Sequence, residues 1–192
     1  MKRAIDKSLQ SWSQYSARKP LVLRGARQVG KTTAVRTLGE GFASFVELNF
    51  ESDAKLAEFF EDALDPVRIV RDLSLYLGQS IIPGETLLFF DEVQICPRAL
   101  LSLRYFYEEM PELALIAAGS LLDFAIDEVG MPVGRVNFMM MYPMSFCEFL
   151  VARGEALLAD AVMQYNPDEP FSEAVHNKAV KLLGEYIAIG GM

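Results

Sequence analysis

The chain has 192 residues, 52% hydrophobic and 23% charged, which suits one domain with a full core, or a core plus a small helical appendage, and excludes a disordered chain. A net charge of −8 argues against a surface that wraps nucleic acid as a whole. The charge is uneven: residues 1–36 carry nine of the 18 Lys and Arg against the single acid Asp6, net +8, while the rest is net −16, so a local anion site belongs in the N-terminal third.

Ile5, Leu9 and Trp12 recur at helical spacing and predict an amphipathic helix that ends before Lys19-Pro20. The run Leu21 to Arg24 reads as a short apolar strand, followed by a glycine-rich turn and a helix from about Lys31 to Leu38 closed by Gly39. SFVELNF alternates as a second strand. Two helices are expected next, Asp53 to Leu64 and Val67 to Leu77, the latter with Asp65 as N-cap, Pro66 in the first turn and Gly78 as the stop. ETLLFFDE reads as a third strand with both faces buried, because its apolar residues run without alternation. Pro97 opens a helix to about Met110, LALIAAGS is a fourth buried strand, and VNFMMMY a fifth, with Met139 to Met141 as core filling. Alternating strands and helices with continuous apolar strands predict a parallel sheet covered on both faces.

After Pro143 the pattern is helical only. Ser145 and Glu148 form a capping box with Met144 and Phe149 as its staple, Arg153-Gly154 ends that helix, and two more run from about Glu155 to Tyr165 and from Phe171 toward Ile189. Residues 1–143 are thus expected to form the core, with 1–19 as its N-terminal helix, and 144–192 a helical segment. The most apolar window, Leu113 to Ile126, carries Gly119, Ser120 and Asp123 and falls short of a membrane span, and the N-terminus lacks the apolar core of a secretion signal. The expected location is the cytoplasm. Cys96 and Cys147 are too far apart in sequence, and too few, for a disulfide framework or zinc site, and His176 reads as an ordinary helix residue.

The glycine-rich turn GARQVGKT, Gly25 to Thr32, has the form G-x-x-x-x-G-K-[ST] between a strand and a helix. Glycines let the backbone of Gly25 and of Gln28, Val29, Gly30, Lys31, Thr32 and Thr33 curl so that N–H groups face phosphate oxygens, aided by the helix N-terminus. Lys31 is placed for the β- and γ-phosphates and the Thr32 hydroxyl for Mg²⁺. A second, independent signal is LLFFDE: an acid at a strand's C-terminal edge, Asp91, suits a magnesium site, and Glu92 after it can orient or deprotonate the attacking water. Ser120, ending the fourth strand, reads either as a γ-phosphate sensor or as the N-cap of the helix after it. Arg135 reads either as a charge-stabilising arginine, in cis or across subunits, or as the partner of Asp127 or Glu128. Arg27 is expected to be exposed, and Asp123 with Asp127 to be a solvated face.

Taken in order and spacing, KPLVLRGARQVGKTT, LLFFDEVQ, AAGSLL, VGRV and YPMSFCEFL resemble the AAA-family P-loop ATPases of bacteria and archaea whose core is followed by a C-terminal domain of unknown function. The resemblance implies a P-loop NTPase fold of three α/β/α layers, a five-stranded, mostly parallel sheet of order 5-1-4-3-2, and ATP and Mg²⁺ as cofactors. It gives Lys31, Thr32, Asp91, Glu92 and Ser120 the family's roles, with Arg135 an addition. It also implies that the chain is an N-terminal fragment, since IGGM falls where the core hands over to the further domain. No arginine for a sensor 2 position is found among Arg153, Lys178 and Lys181. The expected function is Mg²⁺-dependent ATP hydrolysis driving a conformational change in an attached domain or partner; the alternative is a nucleotide-dependent switch with little hydrolysis. A small-molecule kinase fits less well because the tail is acidic and apolar, and no N-K-x-D motif points to guanine. Self-association is possible on this reading, a protein or DNA partner is unspecified, and no membrane is involved.

Overall fold

The computed structural model describes residues 3–120, 122 and 134–191. Five strands, β1 (Leu21–Arg24), β2 (Ser44–Asn49), β3 (Thr86–Asp91), β4 (Ala114–Gly119) and β5 (Asn137–Met140), form one sheet in the order β2-β3-β4-β1-β5, with every pairing parallel. Read from the other edge this is the expected 5-1-4-3-2. β3 and β4 are buried along their whole length, as unbroken apolar runs in the middle of a covered sheet must be, whereas β2 at an edge alternates.

Successive residues of the central strands serve opposite faces. Leu88, Phe90, Leu115 and Ala117 pack with helices α3 (Pro66–Leu77) and α4 (Pro97–Glu109) and with a 3-10 turn, Ala54–Phe60. Leu87, Phe89, Ile116 and Ala118 pack on the other side with α1 (Ala4–Gln14) and α2 (Lys31–Gly39). Phe90 is fully buried and meets Phe50, Phe60 and Phe106 edge-on, at 5.9, 5.5 and 6.2 Å between ring centroids. Phe90→Ala should therefore cost about 3–5 kcal/mol of stability, read as a lowered denaturant midpoint with an unchanged slope.

Several elements differ from their sequence-based expectation. The stretch expected as a helix from Asp53 to Leu64 is a 3-10 turn that stops at Phe60. Arg98 donates to the carbonyls of Phe60 and Asp62, and Arg68 to those of Phe59 and Ala63, so the acceptors of a longer helix are taken by guanidinium groups. Gly39 ends α2 as a helical residue and not as a left-handed cap; a Cβ there would lie 2.5 Å from the Phe45 ring. β5 is an edge strand, so of the three methionines Met141 is buried but Met140 is 46% exposed and fills no core.

The tail consists of α5 (Phe146–Ala152), α6 (Ala156–Met163) and α7 (Glu173–Ile189), joined by a small cluster of Leu150, Leu158, Ala159 and Leu182. α5 starts with the expected box, in which the Ser145 hydroxyl accepts from Glu148 N and the Glu148 carboxylate from Ser145 N. The Tyr186 hydroxyl donates to Met144 O at 2.7 Å, tying α7 to the chain leaving β5. Among the described residues no helix is long and apolar enough to cross a membrane, and both cysteines are free.

Candidate functional site

All strands run the same way, so their C-terminal ends share one edge, where open α/β sheets bind ligands. The glycine-rich turn leaves β1 at that edge. Gly25 must be glycine, because a Cβ would stand 2.3 Å from Met141 O, and Gly30 sits at φ 96° as it enters α2. Gln28 takes φ 67°, an uncommon conformation for a residue with a side chain. The first amide after the turn to find a backbone acceptor is that of Ala34, on Gly30 O at 3.0 Å. The amides of Gly30, Lys31, Thr32 and Thr33 have no backbone acceptor among the described residues, so a row of donors is left at a positive helix end.

The side chains continue this pattern. Lys31 is only 6% exposed, and its ammonium donates to Gly25 O at 3.0 Å and Ala26 O at 2.8 Å, leaving one N–H for an anion. Burial lowers its pKa, while the nearby charges of Glu92 and Asp91 pull the other way. Asp91 ends β3 at 3% exposure; burial raises its pKa, opposed by the Thr32 hydrogen bond and reinforced by Glu92. The Thr32 hydroxyl donates to Asp91 Oδ2 at 3.0 Å, and the same oxygen accepts from Asn49 Nδ2 at 3.2 Å. These oxygens suit a hard cation that keeps other ligands besides the protein.

Glu92 follows at φ 51°, ψ 42°, a left-handed conformation that turns its side chain off the strand line. The Gln94 amide donates to Glu92 Oε2 at 2.6 Å. Gln94 Oε1 is buried without a partner, and a Cβ on Gly119 would lie 2.1 Å from it, so Gln94 is wedged between Glu92 and the end of β4. Ser120 comes next, and since Arg24 pairs with Gly119 it stands beside the start of the glycine-rich turn. The helix that Ser120 was expected to cap lies almost wholly outside the described residues, as do Asp123, Asp127 and Glu128.

Arg135 is elsewhere. It precedes β5, at the N-terminal edge of the sheet, where it is ion-paired to Glu108 of α4. A four-residue strand at about 3.3 Å per residue separates it from the edge where the glycine-rich turn lies. The ion pair it makes is with Glu108, a partner the sequence did not suggest. Arg27 is exposed as expected and pairs with Glu51 at 3.1 Å, a contact worth little.

Three residues at this edge escaped the sequence reading. Asn49 reaches Asp91 only because β2 pairs with β3 in that register, Gln94 looks like any polar turn residue, and Arg3 lies far upstream of the loop it touches.

A family profile described as an AAA domain matches residues 17–150. Similar solved structures include the Walker-type ATPase PABY2304 of Pyrococcus abyssi, 18% identical at a TM-score of 0.44, covering 85% of this chain and 62% of that one. C. elegans PCH-2 is 14% identical at a TM-score of 0.45, covering 83% and 46%. Drosophila ORC bound to DNA is 14% identical at a TM-score of 0.51, covering 83% and 48%. The chain thus spans less than two thirds of each of these proteins. Of the three, the Drosophila structure supports the shared fold, and identities this low bear on nothing more. No curated protein matches the chain in sequence.

Proposed function

The chain belongs to the AAA domain family, and from that premise we propose that it hydrolyses ATP with Mg²⁺ to drive a conformational change in an attached domain or partner. The observation that carries the reading is the meeting of Thr32 with Asp91 at 3.0 Å, with Glu92 adjacent and Lys31 buried alongside. Among the described residues no group of three or more His, Cys, Asp or Glu could hold a metal by itself. Two protein oxygens are what Mg²⁺ asks for, since it shares its remaining positions between water and substrate phosphates. When bound, Mg²⁺ neutralises charge developing on the β- and γ-phosphate oxygens.

The placement of the residues supports the following roles. The free amides of Gly30 to Thr33 hold phosphate oxygens, and Lys31 adds a positive charge that burial makes more effective. Glu92, held by Gln94, orients the attacking water and takes its proton. Ser120 hydrogen-bonds the γ-phosphate or that water. Arg135, which lies a strand's length from its own glycine-rich turn, acts on this reading on the site of a neighbouring subunit.

Phosphate release from Mg-ATP across a range of protein concentrations tests the proposal. Turnover per subunit should rise with concentration in the wild type and stay low in Arg135→Ala; a rate independent of both would remove the shared site. No turnover at any concentration, with ATP still bound, would favour the second reading, a nucleotide switch with little hydrolysis. The two readings part at the short bond from Gln94 to Glu92 Oε2, which either positions that carboxylate or restrains it. A hydrogen bond to a charged group is worth about 1.5–3 kcal/mol. If Gln94 positions Glu92 for catalysis, Gln94→Leu should lower turnover roughly 10- to 100-fold at unchanged ATP affinity. A rise in turnover would instead mark Gln94 as a restraint.

A further inference from the structure

Arg3 is the N-cap of α1, and its guanidinium is spent on three different parts of the chain. Nη1 donates to Val29 O in the phosphate loop at 2.9 Å, Nη2 to Tyr142 O just after β5 at 2.9 Å, and Nε to Glu148 Oε1 in α5 at 3.0 Å. The side chains of Arg3 and Glu148 are 11% and 14% exposed, so this is no solvated surface pair. Glu148 is itself fully engaged: Oε1 also accepts from Ala4 N at 2.7 Å, and Oε2 from Ser145 N at 2.7 Å. Burial alone would raise its pKa, yet the hydrogen bonds from Ala4, Ser145 and Arg3 bring it below the ordinary value, so it is a carboxylate at neutral pH.

The contact with Val29 bears on phosphate binding through the geometry of the peptide. In a trans peptide the C=O and the following N–H point in opposite directions. Holding Val29 C=O outward against Arg3 therefore aims Gly30 N–H the other way, into the concave side of the loop, where it has no backbone acceptor. Gly30, at φ 96°, has little intrinsic preference to hold that orientation by itself. Only a planar fork with donors on three nitrogens can hold the loop, the β5 exit and α5 at once, which a lysine cannot imitate.

We propose that Arg3 is a positioning residue that orients the Val29–Gly30 peptide for phosphate and, through Glu148, links that orientation to docking of the helical tail. This rests on the nucleotide site assigned above to the loop. Linkage makes the effect reciprocal: nucleotide in the loop secures the tail, and a docked tail tightens nucleotide binding. The conformational change asked of an ATPase would then leave the core at α5, through a contact 145 residues apart in sequence.

The test uses the full chain, with ADP as probe. Dissociation constants are measured by calorimetry, and amide hydrogen exchange of residues 146–163 with and without ADP, for wild type, Lys31→Met, Arg3→Met, Arg3→Lys and Glu148→Gln. In the wild type, ADP should raise protection of residues 146–163. Arg3→Met should weaken ADP binding about tenfold and abolish that rise, with Arg3→Lys failing to rescue either. Glu148→Gln touches no atom of the loop, yet it should also lose the ADP-dependent protection, and it keeps the test decisive if Arg3→Met does not fold. Wild-type affinity in Arg3→Met, or a full ADP response of the tail in Glu148→Gln, would overturn the proposal while leaving the nucleotide site intact. ADP binding that is equal in wild type and Lys31→Met would overturn the nucleotide site and the proposal together.

Discussion

Glu92→Gln is expected to lower ATP turnover by about 10²–10⁴-fold while leaving ATP bound, because a neutral amide can still face the water but cannot take its proton. The substitution preserves size and can still accept a hydrogen bond from Gln94, so the Glu92–Gln94 contact seen at 2.6 Å is retained in form. It also leaves Lys31, Thr32 and Asp91 untouched, and binding should not suffer. Single-turnover phosphate release beside equilibrium ATP binding separates the two effects. Hydrolysis at the wild-type rate would strip Glu92 of its role. The backbone supports that role independently: a glutamate at φ 51° costs about 1–3 kcal/mol relative to an ordinary conformation, and such strain clusters where function needs it. Glu92→Gly should therefore be inactive without being destabilised as much as loss of a partly buried side chain usually demands, which thermal unfolding can check.

Lys31→Ala has the other large effect. Its ammonium is nearly buried, rests on two neutral carbonyls and lies near two carboxylates, so it is poorly solvated. On the proposed reading a phosphate would be its direct ion partner. Removing one member of such a desolvated charge pair costs about 2–5 kcal/mol, so ATP binding should weaken by about thirtyfold to several thousandfold. Lys31→Met keeps the aliphatic stem and serves as the folded control, losing binding with little change in unfolding midpoint. Fluorescent-nucleotide titration reads both; unaltered affinity in either would end the assignment of Gly25 to Thr33 as a phosphate site.

The features readable from the chain were those written in neighbouring residues. Unbroken apolar runs gave β3 and β4 away as interior strands, Asp65-Pro66 and Gly78 bracket α3 as expected, and Ser145 with Glu148 cap α5. The glycine-rich turn is legible for the same reason: its glycines, Lys31 and Thr32 form one short pattern between a strand and a helix. Sequence also marked Asp91 and Glu92 as a strand-end pair. It could not show that Thr32 donates to Asp91 across 59 residues, that Asn49 shares that oxygen, or that Gln94 grips Glu92 against Gly119. It left Arg135 open between a site and an ion pair, and strand direction put it at the far edge with Glu108. Arg3 carried no local signal at all, since its three partners come from the loop, the β5 exit and α5. Local patterns choose strand, helix and turn because backbone preference and burial act over a few residues. Which side chains meet is decided by strand order and register, and those are selected by packing of the whole core, where no short stretch holds the information.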